Sequence, residues 1–405
     1  MTRLPGVIFG AVMLACAGCG AGSSTGQGAA AGAPNVQAVK VYAGPAGNYT
    51  NGAFTSVTVC LPGSATNCQT IDGVLVDSGS SGLRLLSSYA GGALTLALPQ
   101  LYQANGNPLA ECAQYADLSY TWGSVQKADV RLAGEVARSV PINVLGDPNM
   151  PPPPAACAYP GIDNDNLQAL GANGLLGVGA FQQDCGTACA PGNGTPPSAA
   201  YYECSPGSPC QSTFVSLDSQ VQNPVALFAA DNNGIILRLP DVAGPQPSAA
   251  GTLVFGIGTR SNNGLGSAAV FQVDSAGNFL HPVVYDNRSY VDGYIDSGSN
   301  GIYFNSNGAI PACGAQSAFY CPAATLSLSA TAQAVNNTSI PVKFSVADAD
   351  QLFSNPSNYV LPDLAGTNSD SRVLDWGLPF FFGRSVYVAI ASKQTSAGTG
   401  PFWAY

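Results

Sequence analysis

The sequence predicts a mostly β protein whose two halves repeat each other. Its 405 residues include 48 glycines and 30 prolines, almost a fifth of the chain, where roughly 12% is typical. From residue 40 onward the apolar runs are short, as in Val57-Thr58-Val59, and they are bounded by Gly, Asn, Asp or Pro. Short bounded runs of this kind indicate strands. The tetrapeptide Asp-Ser-Gly-Ser occurs twice, at 77–80 and 296–299, which suggests a duplication.

Composition and charge exclude several classes of function. With 46% hydrophobic and 9% charged residues, the chain is too apolar to be disordered. Its net charge of −10 repels phosphate backbones, so we expect no nucleic-acid partner. The single histidine, His281, leaves no set of histidines for a metal centre, and we expect it in a loop because Pro282 follows. We expect neither a metal nor a cofactor.

The first residues indicate export. Residues 1–18 have the form of a signal peptide, with Arg3, an apolar stretch and then small residues. The sequence Cys-Ala-Gly-Cys at 16–19 resembles a bacterial lipobox, in which Cys19 would be acylated, with Cys16 as the alternative. Residues 19–45 would then be the lipid anchor site and a flexible tether. Because Gly rather than Asp follows Cys19, we expect a lipoprotein held at the outer membrane of a bacterial cell envelope.

The other ten cysteines predict disulfides. Their number is even, and exported chains keep cysteines oxidised. Neighbours in sequence favour local pairs, although spacing alone does not fix the connectivity. The candidate pairs are Cys60 with Cys68, Cys185 with Cys189, Cys204 with Cys210 and Cys313 with Cys321, which would leave Cys112 with Cys157. Residues 184–210 form a cysteine-rich insertion.

The two Asp-Ser-Gly-Ser segments share their context as well as their letters. VLVDSGSSGLRLL occupies 74–86 and GYIDSGSNGIYF occupies 293–304. Each is an apolar run, the tetrapeptide, one residue, a glycine and further apolar residues. Two unrelated aspartate turns are the alternative, but the shared strand–turn–strand context favours duplication. We therefore divide the body into an N-terminal β lobe, 46–243, and a C-terminal β lobe, 244–405.

A duplicated carboxylate suggests a chemistry. If the two copies meet at a pseudo-dyad, Asp77 and Asp296 lie side by side, and two such carboxylates share one proton because both cannot ionise cheaply. One can then take a proton from water while the other protonates a carbonyl oxygen. The pattern therefore predicts amide hydrolysis in acid.

These motifs resemble those of the pepsin-like aspartic proteases, whose two lobes each carry an Asp-Thr/Ser-Gly-Thr/Ser turn. The family also threads a hydrophobic-hydrophobic-Gly segment against each turn, and its flap reads Tyr-Gly-Asp-Gly-Ser-x-x-x-Gly. The matching positions here are Leu175-Leu176-Gly177, Phe381-Phe382-Gly383, and Tyr115, Asp117, Ser119 and Gly123 of the flap. They follow in the family's order over residues 50–392. More narrowly, the whole chain resembles the DUF3443 family of proteobacterial lipoproteins.

The resemblance implies a bilobal acid-protease fold with two β-barrel-like lobes and a catalytic pair, Asp77 and Asp296. Arg84 departs from the family, which has an aromatic residue there. Tyr115 would be the flap tyrosine, with Tyr120 as the competitor. The supporting residues would be Ser78 and Ser297 with hydrogen bonds between lobes, Ser80 and Ser299 on the outer carboxylate oxygens, and Gly79 and Gly298 in the turns.

The function expected from this resemblance is an envelope-anchored aspartic endopeptidase, monomeric, acting on a peptide or protein substrate. One alternative is a non-catalytic scaffold that binds a protein or glycan in the same cleft. Another is a structural surface lipoprotein. The presence of both aspartates favours the enzyme.

Overall fold

The computed structural model describes residues 32–159, 161–192, 194–197, 199–314 and 318–405. The predicted signal peptide, Cys16 and Cys19 lie outside the described residues. The fold is mostly β, with 43% strand and 7% helix, which confirms the expectation of a mostly β protein.

The strands before residue 244 fall in two groups, those that build one barrel and those at its margins. They are β1 (Val36–Val41), β2 (Ala53–Cys60), β3 (Cys68–Asp77), β4 (Ser81–Leu86), β5 (Ser88–Tyr89), β6 (Gly92–Ala93), β7 (Leu109–Gln114), β8 (Ser119–Leu132), β9 (Glu135–Leu145), β10 (Ile162–Asp163), β11 (Gly174–Val178), β12 (Tyr201–Glu203), β13 (Gln211–Ser212) and β14 (Gly234–Arg238).

The strands from residue 244 onward are shorter. They are β15 (Ala249–Phe255), β16 (Val270–Gln272), β17 (Val283–Tyr285), β18 (Arg288–Tyr290), β19 (Asp292–Ile295), β20 (Ile302–Phe304), β21 (Leu326–Gln333), β22 (Ser339–Val346), β23 (Ala365–Thr367), β24 (Val373–Trp376), β25 (Ser385–Ala389), β26 (Gln394–Thr395), β27 (Gly398–Thr399) and β28 (Phe402–Ala404).

The helices are single turns. They are α1 (Ala155–Ala158), α2 (Leu167–Leu170) and α3 (Ala349–Leu352), with 3₁₀ turns at Gly186–Cys189, Pro224–Leu227 and Leu378–Phe381. Among the described residues no helix is long and apolar enough to cross a membrane.

A closed barrel of six strands forms the first half of the chain. Its order is β2-β3-β11-β4-β9-β8, and β8 pairs with β2 to close the ring. Val57, Val74 and Leu83, from three of its strands, are fully buried inside the barrel. Burying one such side chain contributes roughly 1.5–3 kcal/mol, so the barrel has its own hydrophobic core.

One sheet joins the two halves. Strand β1 leaves β2 and pairs with β15 from Val36 opposite Val254 to Val41 opposite Ala249. The sheet continues through β14, β25 and β28 to β16. The first and last strands of the described residues, β1 and β28, are therefore held in the same sheet as β14 and β15 from the middle of the chain.

The second half adds two four-stranded sheets, β19-β24-β20-β23 and β18-β17-β21-β22. Aromatic side chains fill the space between them. Phe344 meets Trp376 edge to face at 5.3 Å between ring centroids, and Trp376 is fully buried. This aromatic packing fixes β24 in the middle of its sheet.

All five disulfides of the described residues follow the local pairing favoured by the sequence. They are Cys60–Cys68, Cys112–Cys157, Cys185–Cys189, Cys204–Cys210 and Cys313–Cys321. The prediction that these ten cysteines form disulfides is confirmed.

Candidate active site

The first Asp-Ser-Gly-Ser turn holds the Asp77 carboxylate by local hydrogen bonds. Its Oδ1 accepts from the backbone N–H of Gly79 at 2.8 Å and of Ser80 at 3.3 Å. Its Oδ2 accepts from the Ser80 hydroxyl at 2.5 Å. The second turn repeats the pattern, with Asp296 Oδ1 accepting from Gly298 N–H at 2.7 Å and Oδ2 from the Ser299 hydroxyl at 2.8 Å. The two copies of the tetrapeptide therefore form turns with a similar hydrogen-bond pattern.

The first serine of each turn joins the two turns to each other. Ser78 N–H donates to the Ser297 hydroxyl at 3.0 Å, and Ser297 N–H donates to the Ser78 hydroxyl at 2.9 Å. Each hydroxyl then donates onward across the boundary, Ser297 to the Val76 carbonyl at 2.8 Å and Ser78 to the Ile295 carbonyl at 3.3 Å. Both serines are buried, so each turn satisfies buried polar groups of the other.

The turn glycines allow the carboxyl groups to approach. A Cβ on Gly79 would lie 2.5 Å from Asp296 Cγ, and one on Gly298 would lie 2.8 Å from Asp77 Oδ1. No larger residue fits at either place without displacing the opposite aspartate. The structure brings Asp77 and Asp296 together, since a Cβ on Gly298 would lie 2.8 Å from Asp77 Oδ1 and 3.1 Å from Asp296 Oδ1.

The electrostatics of the pair follow from this closeness. Burial and, after it, the neighbouring Asp77 charge together raise the pKa of the Asp296 carboxyl to about 8, against hydrogen bonds from Ser299 and Gly298 that lower it. Two carboxyl groups in contact titrate as a unit. The pair therefore holds one proton over a wide pH range.

A crossing strand supports each turn. In the first half β11 runs parallel to β3 and antiparallel to β4, and Gly177 lies opposite both Asp77 and Gly82. The predicted residues Leu175, Leu176 and Gly177 thus lie against the first turn, because a Cβ on Gly177 would contact the backbone of residues 81 and 82 at 2.7–2.8 Å.

In the second half, the prediction that Phe381-Phe382-Gly383 lies against the turn is wrong. Strand β24 runs parallel to β19 and antiparallel to β20, and Gly377 follows it, with a Cβ position only 2.0 Å from the Gly301 carbonyl oxygen. Phe381 instead lies in a 3₁₀ turn, Phe382 bridges to Leu239, and Gly383 follows. The register makes Trp376-Gly377 the counterpart of Leu176-Gly177.

The flap predicted from the sequence is the hairpin of β7 and β8. Its tip residue Tyr115 packs against the apolar cluster that contains Leu75 and Leu175, and its hydroxyl lies 3.2 Å from Thr121 Oγ1. The pKa of Tyr115 is raised to about 12, mainly by burial. Arg84 opposes this increase, and the Asp77 charge is among the weaker influences that add to it.

The remaining flap residues have separate roles. Asp117 Oδ1 accepts from Ser119 N–H at 2.9 Å and from its hydroxyl at 2.6 Å, which shapes the tip. Tyr120, the competitor for the flap role, packs instead with Trp122 and the Cys112–Cys157 disulfide. Of the two tyrosines, Tyr115 is therefore the one that packs with Leu75 and Leu175, on the strands that hold the first turn.

Sequence reasoning missed a buried ionic cluster around Arg84. This residue is 3% exposed, pairs with Glu111 on the flap strand β7, and reaches Asp184 at 3.4 Å. The Tyr201 hydroxyl donates to Asp184 Oδ1 at 2.6 Å. The arginine that departs from the aromatic pattern thus ties the flap to the cysteine-rich insertion, and a charged residue inside the apolar run Leu83 to Leu86 was the available signal.

A loop before β2 also reaches the second turn. The Tyr49 hydroxyl donates to the Gly298 carbonyl at 3.3 Å. The buried Asn51 side chain donates to the Asn300 carbonyl at 2.8 Å and accepts from Leu361 N–H at 2.7 Å. No local sequence pattern predicts these contacts, because they join residues about 250 and 310 positions apart.

The third missed residue is Asp375 on β24. It is 4% exposed, and its Oδ1 has no hydrogen-bond partner among the described residues. A carboxylate inside the apolar run that ends at Trp376 was the sequence signal.

The described residues offer one group of three potential metal ligands in close contact: Cys313, Cys321 and Asp350. The two cysteines form a disulfide, so neither can supply the thiolate that a metal requires. The carboxyl pair remains the candidate reactive centre.

The fold and site define a mostly β protein in which a duplicated turn pairs two carboxyl groups from distant parts of the chain. Residues 31–405 match the family model described as protein of unknown function (DUF3443). Because that match covers nearly the whole chain, the protein belongs to this family. A search of curated proteins found no match.

Proposed function

We propose that this protein is a bilobal, pepsin-like aspartic endopeptidase attached to the bacterial cell envelope. The observation that supports the proposal is the pair of Asp-Ser-Gly-Ser turns, which hold Asp77 and Asp296 close together through the reciprocal serine bonds. Each turn also has a supporting strand: β11, a strand of the six-stranded barrel, lies against the first turn, and β24 lies against the second.

The proposed chemistry assigns different work to the two carboxyls. Asp77 accepts three hydrogen bonds within its turn and Asp296 accepts two, so the negative charge is better held at Asp77. Asp77 takes a proton from a water molecule, whose oxygen attacks the peptide carbonyl carbon, while Asp296 gives its proton to the carbonyl oxygen. Asp77 then gives that proton to the amide nitrogen, the C–N bond breaks, and a hydroxyl of the intermediate returns a proton to Asp296 as the new carboxyl forms, which restores the pair.

The flap and the departures from the family pattern bear on substrate binding. Tyr115 packs with Leu75 and Leu175, on the strands that hold the first turn, and would close over an extended peptide, while the Arg84 cluster holds the base of the flap. A peptide that runs past the second turn would displace the Tyr49 hydroxyl from the Gly298 carbonyl. We expect substrates to be unfolded segments, because only an extended chain can enter between a flap and a buried pair.

The test is cleavage of an unfolded protein by the mature, disulfide-bonded protein at about pH 3–5, where the pair holds one proton. Pepstatin, a peptide with a hydroxyl in place of the attacked carbonyl, should inhibit cleavage. Asp77→Asn should abolish it with the fold unchanged, because an amide cannot act as the base. The exposed Asp241→Asn is the matched control and should retain activity.

Two outcomes would contradict the proposal. If the wild type binds pepstatin and cuts nothing between pH 3 and 7, the protein is a non-catalytic scaffold that binds a protein or glycan in the same cleft. If it neither binds nor cuts, the structural lipoprotein becomes the better account.

Envelope attachment is a separate part of the proposal and needs its own test. Cells fed a labelled fatty acid should incorporate label into the wild-type protein and not into Cys19→Ser. Label that persists in Cys19→Ser would move the acylation site to Cys16. No label in the wild type would refute the lipid anchor and, with it, the outer-membrane location.

A further inference from the structure

Three large apolar side chains are exposed at the tip of the flap. They are Leu118, Tyr159 and Ile162, with exposed fractions of 63%, 80% and 67%, and we call them the flap-tip patch. Leu118 directly precedes β8, Ile162 begins β10, and Tyr159 follows the last residue of α1. The Ile162 N–H donates to the Leu118 carbonyl at 3.2 Å. The patch is therefore built from neighbouring segments.

The core of the protein does not use this patch. None of its three residues belongs to an apolar cluster of the described residues. Leu118 also has a φ of 68°, a left-handed conformation that glycine or asparagine adopts at lower cost. In the same turn, Tyr115 packs against the cluster of Leu75 and Leu175. Exposed apolar groups that a core does not use mark a contact surface.

Strand β10 leaves an open edge beside the patch. It pairs in parallel with β8, with Ile162 opposite Ser119 and Asp163 opposite Tyr120, and with no other strand among the described residues. An open edge presents N–H and C=O groups that an extended peptide can bind by adding a strand. Because Ile162 belongs to both the edge and the patch, one peptide can contact both.

The surroundings of the patch are acidic. Asp117 precedes Leu118 and Asp163 follows Ile162, and both aspartates are exposed. Residues 85–126 and 139–237, which include the flap tip and the cysteine-rich insertion, contain no Lys, Arg or His. A basic partner is attracted to such a surface and an acidic one is repelled. A second copy of this chain would bring the same aspartates, and an anionic membrane would bring like charge, so a basic polypeptide fits best.

We propose that the flap-tip patch binds the flank of the polypeptide substrate, and that this flank is an extended segment with basic and bulky apolar side chains. The segment adds to the edge of β10 through its backbone. Its apolar side chains cover the patch, and its basic side chains lie near Asp117 and Asp163. This inference rests on the proposed function, since it names the substrate class of the same site. Tyr115 belongs to the same turn as the patch, so one polypeptide can pass from the patch to the carboxyl pair.

The first test measures peptide binding by fluorescence anisotropy at about pH 6, with Asp77→Asn as the parent so that the peptides are not cleaved. The labelled peptides have about ten residues and alternate Lys with Leu, Glu with Leu, or Lys with Ser. The Lys/Leu peptide should bind at least about tenfold more tightly than the other two, and about 0.5 M salt should weaken its binding about threefold. Adding Leu118→Asn, Tyr159→Ser and Ile162→Thr should weaken its binding about tenfold. The matched control, Leu280→Ser at another exposed apolar residue, should leave it unchanged.

Three results would overturn the inference. The first is a triple variant that binds the Lys/Leu peptide as tightly as the control does. The second is equal binding of the Lys/Leu and Glu/Leu peptides. The third is binding to vesicles of phosphatidylcholine, lost in the triple variant, with no binding of any peptide, which would assign the patch to a membrane. The substituted side chains are exposed, so circular dichroism should show the same fold in every variant.

The second test uses cleavage by the wild type and the same triple variant. For an unfolded substrate with Lys/Leu flanks, the triple variant should raise KM about tenfold and keep kcat within about twofold, because the patch does not touch the reacting atoms. Cleavage with an unchanged KM would refute the docking surface and leave the proposed function standing. Peptide binding that depends on the patch, with no cleavage by the wild type at any pH, would confirm the docking surface and refute the proposed function.

Discussion

Replacing Gly79 by alanine should separate the two carboxyls with little other disturbance. The added Cβ would lie 2.5 Å from Asp296 Cγ, whereas ordinary contacts begin at 3.4 Å. The Asp296 carboxyl must therefore move by roughly 0.9 Å, and a shift of about 1 Å at reacting groups can lower a rate about 100-fold. Gly79 has no left-handed backbone angle, so the effect comes from contact rather than from strain.

The assay compares kcat for cleavage of an unfolded substrate at pH 4. Gly244→Ala is the matched control, because a Cβ there meets nothing within 4 Å, and it should keep wild-type activity. Gly79→Ala should lose about 100-fold, while circular dichroism and the near-ultraviolet signal stay as in the control. Equal activity in the two folded variants would show that the carboxyls need not touch, and the reasoning from the paired turns would fail.

Three further predictions concern stability, measured by urea unfolding. Because the pKa of Asp296 is raised, the folded state keeps a proton that the unfolded state releases, and stability is lost as the pH rises from about 4 to about 8. Asp296→Asn should therefore be more stable than the wild type near pH 8. The difference should disappear below pH 4, where both the folded and the unfolded state are protonated. Ser78→Ala and Ser297→Ala should each cost about 1–3 kcal/mol, and similar amounts, because each orphans one buried N–H and one carbonyl across the boundary; a negligible cost for either would contradict the reciprocal bonds. Removing the Cys112–Cys157 disulfide, with a sequence separation of 45, should cost more than removing Cys60–Cys68, with a separation of 8, about 4 against about 2.5 kcal/mol in the chain-entropy account; the reverse order would show that local packing decides.

Much of the fold class and of the paired turns could be predicted because their signals are local. Short bounded apolar runs such as Val57-Thr58-Val59 lie in strands, and the ten cysteines pair with close neighbours where neighbours exist. The two Asp-Ser-Gly-Ser copies carry their own hydrogen-bonding geometry, since the aspartate, glycine and final serine of each turn bond one another.

The rest depends on pairings that sequence patterns do not encode. Two segments of the second half suit an apolar strand next to a glycine, and only the register between β24 and its neighbours selects Trp376-Gly377 over Phe382-Gly383. The roles of Arg84 and Asp375 were invisible for a related reason. A charged residue in an apolar run signals a buried site, but Glu111, the partner of Arg84, comes from another strand. Only the register of β24 places Asp375 beside the second turn.

The reciprocal serine bonds have a consequence for the order of events during synthesis. Ser78 and its neighbours find their hydrogen-bond partners 219 positions later in the chain. A nascent chain that has completed the whole first barrel still lacks the partners of its first turn, and the carboxyl pair cannot form until residue 299 has been made and has folded back. If the pair is catalytic, as proposed above, the division of the site between two distant segments keeps the growing polypeptide inactive until nearly three quarters of it has been made.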